Sequence, residues 1–62
     1  MNRLKTIRAE KGMTTVRLAE LSGVSRQTIH RLETGKLTET RTSTLKALAD
    51  ALGVNVTDFF VE

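Results

Sequence analysis

Apolar residues recur along the chain at the spacing of short amphipathic helices. Leu4, Ile7 and the stem of Lys11 share one face of a first predicted helix, from about Asn2 to Lys11. Leu18 and Ala19 mark the inner side of a second, from Thr15 to Ser22, and Ile29 and Leu32 that of a third, from Arg26 to Thr34. Leu45, Leu48, Ala49 and Leu52 stand at i, i+3, i+4 and i+7 in a fourth, from about Thr44 to Leu52, and a last turn is expected from Asp58 to Val61. The expected fold is therefore all-α, with five short helical elements organised as a single domain over residues 1–62.

The residues between these stretches sharpen their boundaries. The chain has no proline and four glycines, Gly12, Gly23, Gly35 and Gly53, each just after a helical stretch. That is where a helix ends in left-handed backbone, which glycine adopts without steric cost. Thr14, Ser25 and Thr57 are suitable N-cap residues. Apolar residues flank each at the spacing of a hydrophobic staple, Met13 with Leu18, Val24 with Ile29 and Val56 with Val61. The polar segment from Lys36 to Ser43 has no clear period and is expected to be a loop with Leu37 tucked under it.

Composition narrows the chemistry. A domain of 62 residues buries only about 60% of its unfolded surface, so the core must be tight. With no cysteine and one histidine, a disulfide framework and a protein-only zinc site are not expected, and neither is a cofactor. Without a long apolar run or a signal-peptide pattern, no membrane association is expected, and the chain reads as cytoplasmic. The net charge of +3 is unevenly spread: residues 1–36 hold eight Lys/Arg against three Asp/Glu, and the remainder two against four. A basic first half suggests a surface that faces phosphates.

Only Gly23-Val24-Ser25 separates the second and third helices, and so short a connection makes them cross steeply. Around it stand Ile7-Arg8, Lys11-Gly12-Met13-Thr14, Leu18-Ala19, Thr28-Ile29, Arg31-Leu32-Glu33 and Gly35-Lys36, followed by Leu45, Leu48-Ala49 and Ala51-Leu52-Gly53-Val54. In this order and spacing, from Ile7 to about Phe60, the chain resembles the lambda-repressor and Cro-like (XRE-type) family of bacterial and phage DNA-binding domains. The resemblance implies a compact five-helix lambda-repressor-like fold, with helices two and three as the helix-turn-helix and double-stranded DNA as the partner. It also implies a bacterial or phage origin and association with the nucleoid.

On a wheel at 100° per residue, with the core direction between Ile29 and Leu32, Gln27 and Thr34 point almost straight away. His30 and Arg31 come next, and Arg26 lies on the flank. In helix-turn-helix proteins the N-terminal part of the recognition helix enters the major groove, which makes Arg26, Gln27, Thr28 and Arg31 the base-reading candidates. Arginine can bridge guanine O6 and N7, glutamine adenine N6 and N7, and threonine can touch the thymine methyl. His30 is assigned to a phosphate or to no contact.

By resemblance, Thr14 and Thr15 at the start of the second helix, Thr34 and Lys36 after the third, and Arg41 and Ser43 before the fourth contact phosphates. The family usually has glutamine where this chain has Thr15; the loop before the fourth helix also lacks the family's usual proline, and it carries Glu39. The resemblance further implies a partly buried salt bridge between Arg8 and Glu33, a structural role for both.

One such domain covers a half-site, so a homodimer on a pseudo-palindrome is expected. Among the apolar residues of the tail, Phe59 is assigned to the core and Val56 and Phe60 to the dimer surface. The reading is a small homodimeric transcriptional regulator, most simply a repressor, with no room for a ligand-binding second domain. Activation through a polymerase contact would use the same architecture; the alternative is an antitoxin-like module whose main task is a protein partner such as a toxin, with DNA binding autoregulatory or secondary. Enzymatic activity is not expected: His30 has Gln27, Thr34 and Arg31 as helical neighbours, and no paired carboxylate stands at helical spacing.

Overall fold

The computed structural model describes residues 2–60 and is all-helical across them. In order come α1 (Leu4–Glu10), α2 (Thr15–Ser22), α3 (Arg26–Thr34), a 3₁₀ turn (Leu37–Glu39), α4 (Thr42–Leu52) and a second 3₁₀ turn (Val56–Phe60). α2 packs against both α3 and α4, α1 against α3, and the Val56–Phe60 turn against α4. Among the described residues no helix is long and apolar enough to cross a membrane.

α2 and α3 begin where their caps dictate. Thr14 Oγ1 accepts the Arg17 N–H at 3.1 Å, and Ser25 Oγ accepts the Thr28 N–H at 3.2 Å. Each satisfies a first-turn donor that has no partner inside its helix. Met13 and Val24, one residue before the caps, are half-buried against the core, as the staples require. At the far end of α2, Gly23 takes φ 76° and returns its N–H to Ala19 O at 2.9 Å.

The other elements depart from the periodicity for identifiable reasons. α1 starts at Leu4 rather than Asn2: Arg3 is its N-cap, and Asn2 stays outside the helix, its Oδ1 accepting the Leu4 N–H at 3.0 Å. It ends at Glu10, so Lys11 is exposed and its stem lines no apolar face. α4 starts two residues earlier than expected, at Thr42; Thr42 and Ser43 face solvent, and an apolar period cannot report an exposed first turn. The expected last turn is a 3₁₀ turn, Val56–Phe60, that opens before Thr57, so Thr57 is not its cap. Asp58 Oδ2 accepts the Asn55 N–H at 2.9 Å while the Asp58 N–H donates to Asn55 O at 3.0 Å. Val61, the expected end of this turn and the staple partner of Val56, lies outside the described residues.

Gly12 and Gly53 take the left-handed backbone expected of them, at φ 65° and 71°. Gly35 does not: its φ is −123°. A Cβ there would lie 2.8 Å from Arg31 O, so this position needs glycine because the chain folds back tightly against the last turn of α3.

The core is one cluster: Leu4 and Ile7 from α1, Leu18 from α2, Ile29 and Leu32 from α3, Leu45, Leu48, Ala49 and Leu52 from α4, with Leu37 and Phe59 from the two turns. Leu37, alone in a polar segment, is 2% exposed and anchors it. Asn2 ties the start of the chain to the end of α3: its Nδ2 donates to Leu32 O at 2.9 Å and to Gly35 O at 3.1 Å. Arg3 N–H adds a bond to Phe59 O at 2.9 Å.

Asn2→Ala removes three hydrogen bonds at once and is expected to lower stability by about 1–3 kcal/mol, on the order of 5–20 °C in Tm for a domain of this size. Asn2→Asp keeps the bond to the Leu4 N–H but loses both donors and should fall in between. Thermal denaturation followed by circular dichroism checks both, and an unchanged Tm for Asn2→Ala would show that Asn2 holds nothing.

Candidate nucleic-acid interface

What α3 presents outward depends on how it is held from within. Ile29 and Leu32 are buried on its inner side. At its last turn Arg8 Nε donates to Glu33 Oε2 at 2.6 Å, and Arg8 Nη1 donates to Met13 O at 2.8 Å. The two side chains are 14% and 4% exposed, so this pair is largely out of water and joins α1, the connection after it and α3. Asn2 holds the carbonyls at the same end.

With the inner side so committed, Arg26, Gln27, His30, Arg31 and Thr34 are exposed and Thr28 is half-buried. Two of these have local duties. The Thr28 hydroxyl accepts from Ser25 Oγ at 2.9 Å, and Thr34 Oγ1 donates to His30 O at 3.0 Å. Both hydroxyls are thereby oriented by the helix itself. Arg26, Gln27, His30 and Arg31 make no side-chain hydrogen bond or ion pair to another described residue.

The cations divide into two groups. Arg3, Arg8, Arg17 and Lys46 face Glu10, Glu33, Glu20 and Asp50 within 4 Å. Arg26, Arg31, Lys36 and Arg41, together with Lys5 and Lys11 on and after α1, have no ion-pair partner among the described residues. The partnerless cations therefore include every arginine and lysine that the sequence assigns to bases or phosphates. An exposed cation without an intramolecular carboxylate is free to take a phosphate or a base edge.

Thr28, Arg31, Leu32, Gly35, Lys36, Glu39 and Thr40 line a cleft of about 230 Å³ between α3 and the turn that follows it. Two base-reading candidates and one phosphate candidate thus share a wall. Arg26 and Gln27, at the start of α3, lie outside that cleft. Thr14 is exposed and Thr15 half-buried at the start of α2. Arg41 and Ser43 are exposed at the start of α4, whose N-terminus carries no side-chain cap, leaving first-turn N–H groups for an anion.

Sequence reasoning missed three contributors. Asn2 is the kind of residue that caps a helix, but its grip on α3 depends on a contact 30 residues away. Glu39 and Thr40 sit in a segment without periodicity, and only the fold-back at Gly35 brings them to α3. At the opposite end of the chain, Phe59 is fully buried, Phe60 is 45% exposed and Val56 is half-buried against the core. Phe60 borders a smaller recess of about 120 Å³ with Asn2, Gly35, Lys36, Leu37 and Thr38.

The family model for the Cro/C1-type HTH DNA-binding domain matches residues 3–61. No curated protein matches the chain.

Arg8→Ala would leave the Glu33 carboxylate buried without its partner, at a cost of about 3–5 kcal/mol. Small domains have on the order of 5–15 kcal/mol in all, so urea denaturation should show a large loss of folded protein. An unchanged midpoint together with weakened DNA binding would instead make Arg8 a DNA contact.

Proposed function

The chain belongs to the Cro/C1-type helix-turn-helix DNA-binding domain family, and from that premise we propose that it is a sequence-specific transcriptional regulator of double-stranded DNA. α2 and α3 form the helix-turn-helix, with α3 in the major groove. The observation that carries this reading is the exposed face of α3, where Arg26, Gln27 and Arg31 stand without partners among the described residues while the cations Arg3, Arg8, Arg17 and Lys46 are paired with carboxylates.

Arg26, Gln27, Thr28 and Arg31 read bases. Thr14, Thr15, His30, Thr34, Lys36, Arg41 and Ser43 set the register on the phosphates. The short three-residue connection between α2 and α3 supports this assignment, because it joins the end of α2 directly to the start of α3, where Arg26 and Gln27 are exposed. Regulation is by occupancy: a bound domain excludes polymerase, which makes repression the simplest outcome.

A single domain covers one half-site, so the working unit is a homodimer on two half-sites about 34–36 Å apart. Phe60, exposed beside the half-buried Val56, supports the end of the chain as the surface between copies. The same exposed phenylalanine, with Val16 and Leu21 at 47% exposure, also favours a second reading in which a protein partner is the main ligand.

Selection of bound sequences from a random duplex library at about 150 mM salt, where phosphate-only binding is already weak, tests the proposal. A two-fold symmetric motif is expected. Gln27→Ala and Arg31→Ala should each relax one position in every half-site, by about 1–3 kcal/mol of discrimination, with melting temperatures unchanged. Failure to enrich any motif would overturn the DNA-reading role and move attention to a protein partner.

A further inference from the structure

The cleft beside α3 holds a charge that a phosphate-binding surface does not need. Glu39 lines it together with Arg31 and Lys36. Its carboxylate has no ion-pair partner among the described residues, so it does not serve to bind either cation in the free protein. Nor does its position result from a loose loop. Leu37 is 2% exposed, the Glu39 N–H donates to Lys36 O at 3.2 Å, and the Thr40 N–H donates to Leu37 O at 3.1 Å. The fold-back at Gly35, which admits no Cβ, presses this turn against the end of α3.

Resting on the DNA-binding reading above, we propose that Glu39 is an electrostatic attenuator of the DNA surface. A carboxylate carried by a backbone held at this cleft raises the cost of bringing any phosphate against Arg31 and Lys36, whatever the sequence. Sequence-independent binding is almost wholly a sum of phosphate contacts, and a genome offers a vast excess of competing non-specific sites. A chain of net charge +3 with partnerless arginines on one face would otherwise be held on bulk DNA. Glu39 lowers that sequence-independent contribution on every duplex alike and leaves discrimination between sequences to the base contacts of α3. Because the carboxylate acts by charge at a distance of several ångströms, its effect must fade as salt screens it.

The test compares the full chain with Glu39→Gln and Glu39→Lys on two duplexes, one random and one carrying the selected motif, between about 50 and 200 mM salt. Glu39 is exposed and makes no ion pair among the described residues, so both variants should melt with the parent. The expected result is tighter binding of Glu39→Gln to both duplexes by about three- to tenfold at the lower salt, converging at the higher. Glu39→Lys should bind tighter still, and the salt slope should steepen by up to about 0.9 per charge. Equal affinities for all three chains would overturn the attenuator role while leaving DNA binding intact. Weaker binding of Glu39→Gln to the selected duplex alone would overturn it too, showing that the carboxylate accepts a bond from a base. Absence of duplex binding by all three chains at the lower salt would overturn the DNA reading and the role of Glu39 with it.

Discussion

Arg8 and Glu33 meet at 2.6 Å with their side chains largely out of water, and the same guanidinium also takes the carbonyl of Met13. Three pieces of chain, α1, its C-terminal turn and the last turn of α3, are thereby joined at one point. A buried ion pair of this kind adds little net stability over an apolar contact, but it is intolerant of losing either member. Its value here is positional. It adds directional bonds to the burial of Ile29 and Leu32, and Asn2 assists from the same end by holding Leu32 O and Gly35 O. Rotation or translation of α3 would break these directional bonds before it disturbed the non-directional core.

That inner commitment shapes the electrostatics of the outer side. Arg3, Arg8, Arg17 and Lys46 have carboxylates within 4 Å, whereas Arg26, Arg31, Lys36 and Arg41 have none among the described residues. The basic first half of the sequence is thus not a uniformly positive surface: Arg8 is neutralised in a buried pair, Arg3 and Arg17 face carboxylates at the surface, and Lys5, Lys11 and the cations of α3 and the segment after it are left open among the described residues. Glu39 modifies that open surface from within the same cleft. With the proposed role of Glu39, this face would bind DNA by a balance of attraction and local repulsion rather than by accumulating cations.

The end of α3 also shows why one small residue carries several functions. Gly35 was expected to terminate the helix in left-handed backbone, but its φ of −123° rules that out. Its role is steric: the absence of a Cβ lets the chain pass 2.8 Å, measured from where that Cβ would be, from Arg31 O. This passage allows Leu37 to reach the core and brings Lys36, Glu39 and Thr40 against α3. A glycine after a helix is visible in any sequence, yet which of its two uses applies depends on where the following residues must go.

The local features were legible because their physics is local. Thr14 and Ser25 cap α2 and α3 through donors three residues away, Gly12, Gly23 and Gly53 turn the chain by their own φ, and Leu45, Leu48, Ala49 and Leu52 share a face at helical period. Exposed helix starts such as Thr42 and the Asn55–Asp58 cap of a 3₁₀ turn escaped, since neither leaves an apolar trace. Residue order alone therefore determined the helices, most of their ends and which side of α3 faces outward. The tertiary structure alone decided that Asn2 grips α3, that Gly35 serves a close approach, and that Glu39 joins Arg31 and Lys36 in one cleft. Caps and periods act over one or two turns of chain, whereas a cleft forms between segments whose separation is set only when the whole core closes.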